Sequence, residues 1–200
     1  VLDRLEISRA HVFGISLGGM VASWLAVDQP QRIGRLILAS TIPEPSAVSH
    51  RLKRHALALL RCLADPEAEV SLIWETLSPE FRAAHADRVR EISTLVRKTP
   101  ATRRTLISFA LAAAFHRAEP HVSAITNRTL LLYGESDILA GRKSQRELLR
   151  DLPNAVLGRI PHAGHDLSLE RPVEIADRIV RFLREPSSYA EASSFRTASF

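Results

Sequence analysis

The sequence predicts an α/β fold: a parallel sheet with flanking helices, interrupted by a helical lid insertion. Two observations point there. Short apolar runs with strand character at residues 10–14, 35–40, 129–133 and 155–160 are separated by helical patterns, and strands joined through helices pair in parallel. Between the second and third runs lies a stretch, residues 46–118, with helical spacing and no strand character.

In chain order, residues 10–14 read as a strand, Ser16 as a sharp turn, and Leu17-Gly18-Gly19-Met20-Val21-Ala22-Ser23-Trp24-Leu25-Ala26 as a helix closed by Pro30. Arg35-Leu36-Ile37-Leu38-Ala39-Ser40 reads as a strand buried on both faces, stopped by Pro43 and Pro45. From Ser46 to about Ala118 helices are punctuated by Pro66, Pro79 and Pro100, with apolar residues such as Leu52, Ala56, Leu59, Leu60 and Leu63 on one face. Thr129 to Tyr133, closed by Gly134, is the third strand, followed by a helix from Lys143 to Arg150 and a last strand from Ala155 to Ile160. Pro172 opens a final amphipathic helix with Ile175, Ile179, Phe182 and Leu183 on one side, and residues 186–200 read as a mobile tail. The expected divisions are therefore 1–45, 46–118, 119–185 and 186–200.

A chain of 200 residues that is 46% apolar can bury one sizeable core. The net charge is +5, yet of 27 basic residues only Lys53, Lys98 and Lys143 are lysines, and the arginines are interspersed with acids. Nucleic-acid binding would call for a clustered basic face, so none is expected. Cys62 is the sole cysteine, which excludes an internal disulfide and a cysteine-based metal site and fits a reducing, cytoplasmic setting. The most apolar helical run, residues 106–115, is about half of the roughly twenty residues that cross a bilayer. No membrane association is expected, and Val1-Leu2-Asp3-Arg4-Leu5 lacks the character of a secretory leader.

Three short segments carry chemistry. Gly14-Ile15-Ser16-Leu17-Gly18 is G-x-S-x-G with a strand before it and a helix after it. A turn that tight brings backbone segments together where side chains would clash, hence the expectation of glycine at both Gly14 and Gly18. It presents Ser16 at a helix amino terminus, where the Leu17 N–H can stabilise a developing oxyanion. A glycine-rich turn that merely packs helix on sheet is the alternative. A serine hydroxyl attacks poorly until a positioned base takes its proton. Tyr133-Gly134-Glu135-Ser136-Asp137 supplies an acid after the third strand, and Pro161-His162-Ala163-Gly164-His165-Asp166 supplies a histidine after the fourth. Both Glu135 and Asp137 are candidate acids, and both His162 and His165 candidate bases, the Gly164 before His165 favouring the latter. His162, His165 and Asp166 lack a third convincing metal ligand, so neither metal nor other cofactor is expected. Trp74, Phe81, Phe109 and Phe115 either pack the core of the insertion or line an acyl pocket, and His116 and His121 read as surface or capping residues.

Residues 14–20, the 133–137 run, and Ala163-Gly164-His165 followed by Glu170-Arg171-Pro172 resemble the α/β-hydrolase superfamily over nearly the whole chain, except the helical block and the tail. That resemblance implies a nucleophile, acid and base in the order Ser16, Asp137, His165, and favours Asp137 over Glu135. Ser16-Leu17-Gly18-Gly19-Met20-Val21 with Trp24-Leu25-Ala26 is similar to 3-oxoadipate enol-lactonases and related esterases, which implies an ester or lactone as the small-molecule substrate and no cofactor. Serine at the nucleophile position argues against the dehalogenases and epoxide hydrolases of the superfamily, which carry aspartate there. Carbon–carbon bond hydrolases usually have tryptophan soon after the histidine, where this chain has Asp166-Leu167-Ser168-Leu169.

The same resemblance places further strands, a helix and an oxyanion loop before the elbow, whereas only residues 1–15 precede Ser16. The expectation is thus the carboxy-terminal part of such a fold, with Val1 to Ile7 as the end of a helix, a second oxyanion donor outside it, and an open sheet edge prone to self-association. Two other functions remain open at this point: an inactive or ligand-binding relative, and an acyltransferase using the same three residues.

Overall fold

The computed structural model describes residues 1–42, 57–58, 61–63, 65–115 and 121–185. The Leu52, Ala56, Leu59 and Leu60 positions, His116 and the tail from residue 186 lie outside them, as do the side chains of Phe115 and His121.

Among the described residues the sheet has four parallel strands in the order β1 (Ala10–Ile15), β2 (Ile33–Ala39), β3 (Thr129–Gly134) and β4 (Ala155–Ile160). The helices are α1 (Leu17–Asp28), α2 (Pro66–Thr76), α3 (Pro79–Ala84), α4 (Ala86–Lys98), α5 (Arg103–Phe115), α6 (Arg142–Asp151), α7 (Leu167–Glu170) and α8 (Pro172–Arg184). Successive side chains of a strand point to opposite faces, and the core divides accordingly. Leu36, Leu38 and Leu131 pack with Ala22 and Ala26 of α1 and Leu148 of α6 on one face. Ile37, Ala39, Leu130 and Leu132 pack with Ile160, Leu167, and Ile175 and Phe182 of α8 on the other. Both faces of the inner strands are thus covered, which is why β2 and β3 read as unbroken apolar runs.

Local sequence accounts for the starts of α2 and α3. Asp65 and Ser78 accept backbone hydrogen bonds from Glu67 N and Phe81 N, each two or three residues ahead and each followed by proline at the first helical position, so α2 and α3 start where capping chemistry places them. At the amino terminus the expected helix end is only a single 3-10 turn, Asp3–Leu5, closed by Glu6 at φ 53. The turn has no buried residue to hold it, and a short helix without apolar packing does not persist.

Leu77, Phe81, Val89 and Ile92 form a separate cluster within the helices that follow β2. Trp74 and Phe109 do not join it; they are 48% and 50% exposed, and the Arg82 guanidinium stacks over the Trp74 ring. Of the aromatic residues expected in this core, Phe81 is the buried one among those described. No described helix is long and apolar enough to cross a membrane.

Candidate active site

Three loops at the carboxyl ends of β1, β3 and β4 meet at one point. Ser16 follows β1 directly with φ 51, a conformation that costs a non-glycine residue on the order of 1–3 kcal/mol and persists only when its surroundings hold it. They do: Ser16 N–H donates to Ala39 O at 2.9 Å and Thr41 Oγ1 donates to Ser16 O at 2.9 Å. Ser16 occupies the N-cap position of α1, yet its hydroxyl does not cap the helix. Oγ instead lies 2.9 Å from His165 Nε2. The Leu17 N–H belongs to the first turn of α1, whose amides have no acceptor within the helix.

Steric crowding requires glycine at Gly14 but not at Gly18. A Cβ on Gly14 would lie 2.4 Å from Gly18 O and 2.7 Å from Gly19 N, so the clash expected at Gly14 is present. Gly18 has open space around its Cβ direction among the described residues, and the second crowded position is Gly19, where a Cβ would lie 2.7 Å from Thr41 Cβ. The neighbour that crowds Gly19 comes from the loop after β2, 22 positions away, and no local motif reveals it. Gly14→Ala is accordingly expected to destabilise the fold by about 1–3 kcal/mol through overpacking. Gly18→Ala should be neutral or slightly stabilising, as alanine is in a helix. Urea denaturation of the two variants tests the distinction; equal losses would contradict it.

Asp137 and Glu135 separate clearly. Asp137 is buried and its Oδ1 accepts from Leu139 N and Ala140 N, both at 2.8 Å, while both carboxylate oxygens stand 3.1 Å from His165 Nδ1. Glu135 points to solvent and pairs with Arg159. The acid and base loops touch backbone to backbone: a Cβ on Gly134 would lie 2.1 Å from Gly164 O, and Ser136 N donates to Ala163 O at 2.8 Å. His165 is 7% exposed, whereas the side chain of His162 is 67% exposed, with Nδ1 4.0 Å from Glu80 Oε1. Ser16, Asp137 and His165 are therefore brought together, and Glu135 and His162 are not.

Burial disfavours charge on both Asp137 and His165, but their mutual attraction and hydrogen bond outweigh it. The Asp137 carboxyl is held below its ordinary range and the His165 imidazole above its own. Asp137 thus contributes stability that is present above its unfolded value and lost as the pH falls through its folded one. The contribution of His165 has the opposite sense, present below its unfolded value and lost as the pH rises through the folded one.

Several residues of this region were not legible in the sequence. Gln145, fully buried on α6, donates to Thr41 O at 2.6 Å and Ala140 O at 3.1 Å, tying the loop that supports Ser16 to the loop that carries Asp137. Thr76, Ser78 and Glu170 surround the His165 loop from behind. Of these, only Glu170 was visible in the sequence, as part of the Glu170-Arg171-Pro172 run. Among the described residues no three His, Cys, Asp or Glu side chains converge as a metal site.

Comparison with known proteins agrees with this architecture. A family model described as alpha/beta hydrolase fold matches residues 1–172. The chain is 30% identical over 190 residues to a Variovorax paradoxus protein named "Putative carbamate hydrolase RutD", covering 94% of this chain and 71% of that one. It is 26% identical over 190 residues to a 2-hydroxymuconate semialdehyde hydrolase of Pseudomonas putida, covering 92% of this chain and 66% of that one. In structure it matches MGS-M2, an α/β-hydrolase enzyme from a Medee basin deep-sea metagenome library, with a TM-score of 0.85 and 25% identity over 94% of this chain and 69% of that one.

Proposed function

Because the chain belongs to the α/β-hydrolase fold family, we propose that it is a serine hydrolase that cleaves a carboxylic ester or lactone through an acyl-enzyme. The reading rests on one observation: Ser16 Oγ stands 2.9 Å from His165 Nε2 while His165 Nδ1 faces the buried Asp137 carboxylate at 3.1 Å. A hydrogen bond from Nδ1–H to Asp137 leaves the Nε2 lone pair directed at the serine proton, the tautomer a general base needs.

Ser16 Oγ adds to the substrate carbonyl as its proton passes to Nε2. The Leu17 N–H, fixed at the start of α1, stabilises the tetrahedral oxyanion. The imidazolium, stabilised by Asp137, returns the proton to the departing alkoxide and leaves the acyl group on Ser16. Water then attacks that ester with His165 again as base, and the serine is regenerated. The resemblance of residues 16–26 to lactone- and ester-cleaving relatives favours those carbonyl substrates. A carbamate and 2-hydroxymuconate semialdehyde, the substrates in the names of the two relatives, are the readings to test against.

The test has two parts. A fluorophosphonate probe should form an adduct on Ser16, located by peptide mass spectrometry, because Oγ bonds to phosphorus as fluoride leaves and His165 takes the proton, whatever the natural substrate. Turnover is then measured on p-nitrophenyl esters, γ- and δ-lactones, an aryl carbamate and a vinylogous 1,5-diketone. Faster cleavage of the carbamate or diketone than of every ester and lactone would displace the substrate assignment, and an unlabelled Ser16 in folded protein would displace the mechanism.

The pH profile follows from the electrostatics. Only neutral imidazole can accept the serine proton, and His165 is held above its ordinary value near 6.5. The rate constant kcat/KM should therefore rise with pH along an acid limb displaced upward from that of an isolated histidine. An acid limb at or below the ordinary value would contradict the assignment of His165 as the base.

A further inference from the structure

His165 is carried by a loop whose back is fastened to a distant part of the chain. Thr76, the last residue of α2, and Leu77 and Ser78, which link it to α3, run against residues 162–166. The His165 N–H donates to Thr76 O at 2.8 Å, Thr76 Oγ1 meets Asp166 Oδ2, and Ser78 Oγ donates to His162 O at 3.2 Å. The two segments approach so closely that a Cβ on Gly164 would lie 2.4 Å from Thr76 O and 2.7 Å from Ser78 N.

Glu170, at the end of α7, closes this arrangement. Gly164 N–H donates to its Oε1 at 2.9 Å, and Ser78 N–H stands 3.2 Å from both carboxylate oxygens, 92 positions away in sequence. The residue is 4% exposed, and Ser78 is fully buried. A carboxylate that takes N–H groups from two unrelated segments binds them together more strongly than a neutral acceptor would. Asp137 sets the rotation of the imidazole, but where the ring sits depends on the backbone of residue 165, and that backbone is held from the Thr76 side.

We propose that Glu170 is a positioning residue for His165: it clamps the base loop to the Thr76–Ser78 segment, so that the helices following β2 and the imidazole are placed as one unit. The inference rests on the assignment of His165 as the base. A ligand that displaces the helical segment is then felt at the proton-transfer distance, where a shift of about one ångström costs on the order of a hundredfold. The charge matters as well as the geometry. The charged groups around the imidazole are Asp137 from the acid loop, Asp166 from its own loop and Glu170 from α7, and all three favour the imidazolium. Burial raises the Glu170 carboxyl above its usual range, so its ionisation costs stability as the pH rises through the folded value. Replacing a purely structural carboxylate by a neutral isostere would leave Ser16 labelling and the imidazole titration unchanged; replacing a positioning one would not.

Glu170→Gln and Glu170→Ala are compared with wild type in the full chain by thermal unfolding, by the rate of fluorophosphonate labelling at Ser16 against pH, and by NMR titration of the His165 imidazole, assigned with His165→Gln. Glu170→Gln is expected to keep or raise Tm, to slow labelling several-fold and to move the imidazole midpoint to lower pH. Glu170→Ala should slow labelling about ten- to a hundredfold at temperatures where the fold is intact. If Glu170→Ala does not fold, Glu170→Gln decides. Unchanged labelling together with an unmoved imidazole midpoint in Glu170→Gln overturns the proposal. If wild type itself is not labelled, the serine-hydrolase reading has failed, and the imidazole titration, which needs no turnover, still reports whether Glu170 acts on His165.

Discussion

Ser16→Ala is expected to lower ester hydrolysis by about 10⁵- to 10⁶-fold, to a residue of activity that no longer depends on His165. The size follows from how the groups act. In the proposed mechanism Ser16 Oγ forms the new bond and His165 Nε2, 2.9 Å away, takes its proton. With the hydroxyl gone, oxyanion stabilisation and binding still operate, so the rate falls toward theirs and not to that of bulk water. The comparison to make is Ser16→Ala, His165→Gln and the double variant, each measured by initial rates on the best ester and checked by circular dichroism. The double variant should be no worse than either single one, since the two groups act as a unit. Losses that multiply would mean that Ser16 and His165 contribute independently, and the nucleophile–base assignment would be wrong. A further expectation is that Ser16→Ala does not unfold the protein: alanine removes a hydroxyl that caps nothing, and the φ of 51 is held by bonds from the backbone and Thr41 that alanine keeps.

Asp137→Asn carries the second large effect, a loss of about ten-thousand-fold near neutral pH, with little change in fold. The hydrogen bonds dictate how the amide must sit. Leu139 N and Ala140 N both donate to Oδ1 at 2.8 Å, so in the variant that position has to remain an oxygen. The NH₂ group then occupies the place of Oδ2, 3.1 Å from His165 Nδ1, as a donor set against the Nδ1–H, which keeps only the already doubly bonded Oδ1 at 3.1 Å as acceptor, so the tautomer with a bare Nδ1 is favoured. The proton moves to Nε2, which faces Ser16 and can no longer accept. The imidazolium also loses its buried counter-charge, so the His165 titration moves to lower pH as kcat falls. Rate profiles from pH 5 to pH 10, with NMR of the imidazole, follow both changes. Full activity in Asp137→Asn would show that the carboxylate is not the partner that orients the base.

How much of this was legible in the residues alone depends on the range over which each feature is decided. The strand cores and several helix starts were, because apolar runs and proline placement act within a few positions: α2 begins at Pro66, α3 at Pro79 and α8 at Pro172. Ser16 was legible because a strained strand-to-helix turn imposes glycine at Gly14. The steric reason offered for Gly18 did not hold, since the crowding falls on Gly19 and comes from Thr41. Val1 to Ile7, expected as the end of a helix, form a single 3-10 turn over Asp3–Leu5.

Sequence by itself determined the kind of fold, the order of its elements and the short list of groups able to do chemistry, because each is written in local periodicity and residue type. Within that list the sequence favoured Asp137 and His165, and only tertiary structure shows which of the candidates are brought together. Asp137 and Glu135 are two positions apart, as neighbours on the same turn, and His162 and His165 share one loop. What distinguishes them is the direction each leaves the backbone: toward the buried meeting point of three loops, or toward Arg159, Glu80 and solvent. The supporting residues were out of reach for the same reason. Gln145, Thr76, Ser78 and Glu170 acquire their roles from segments up to 104 positions away, and a hydrogen bond that closes only when the chain has folded leaves no pattern along it.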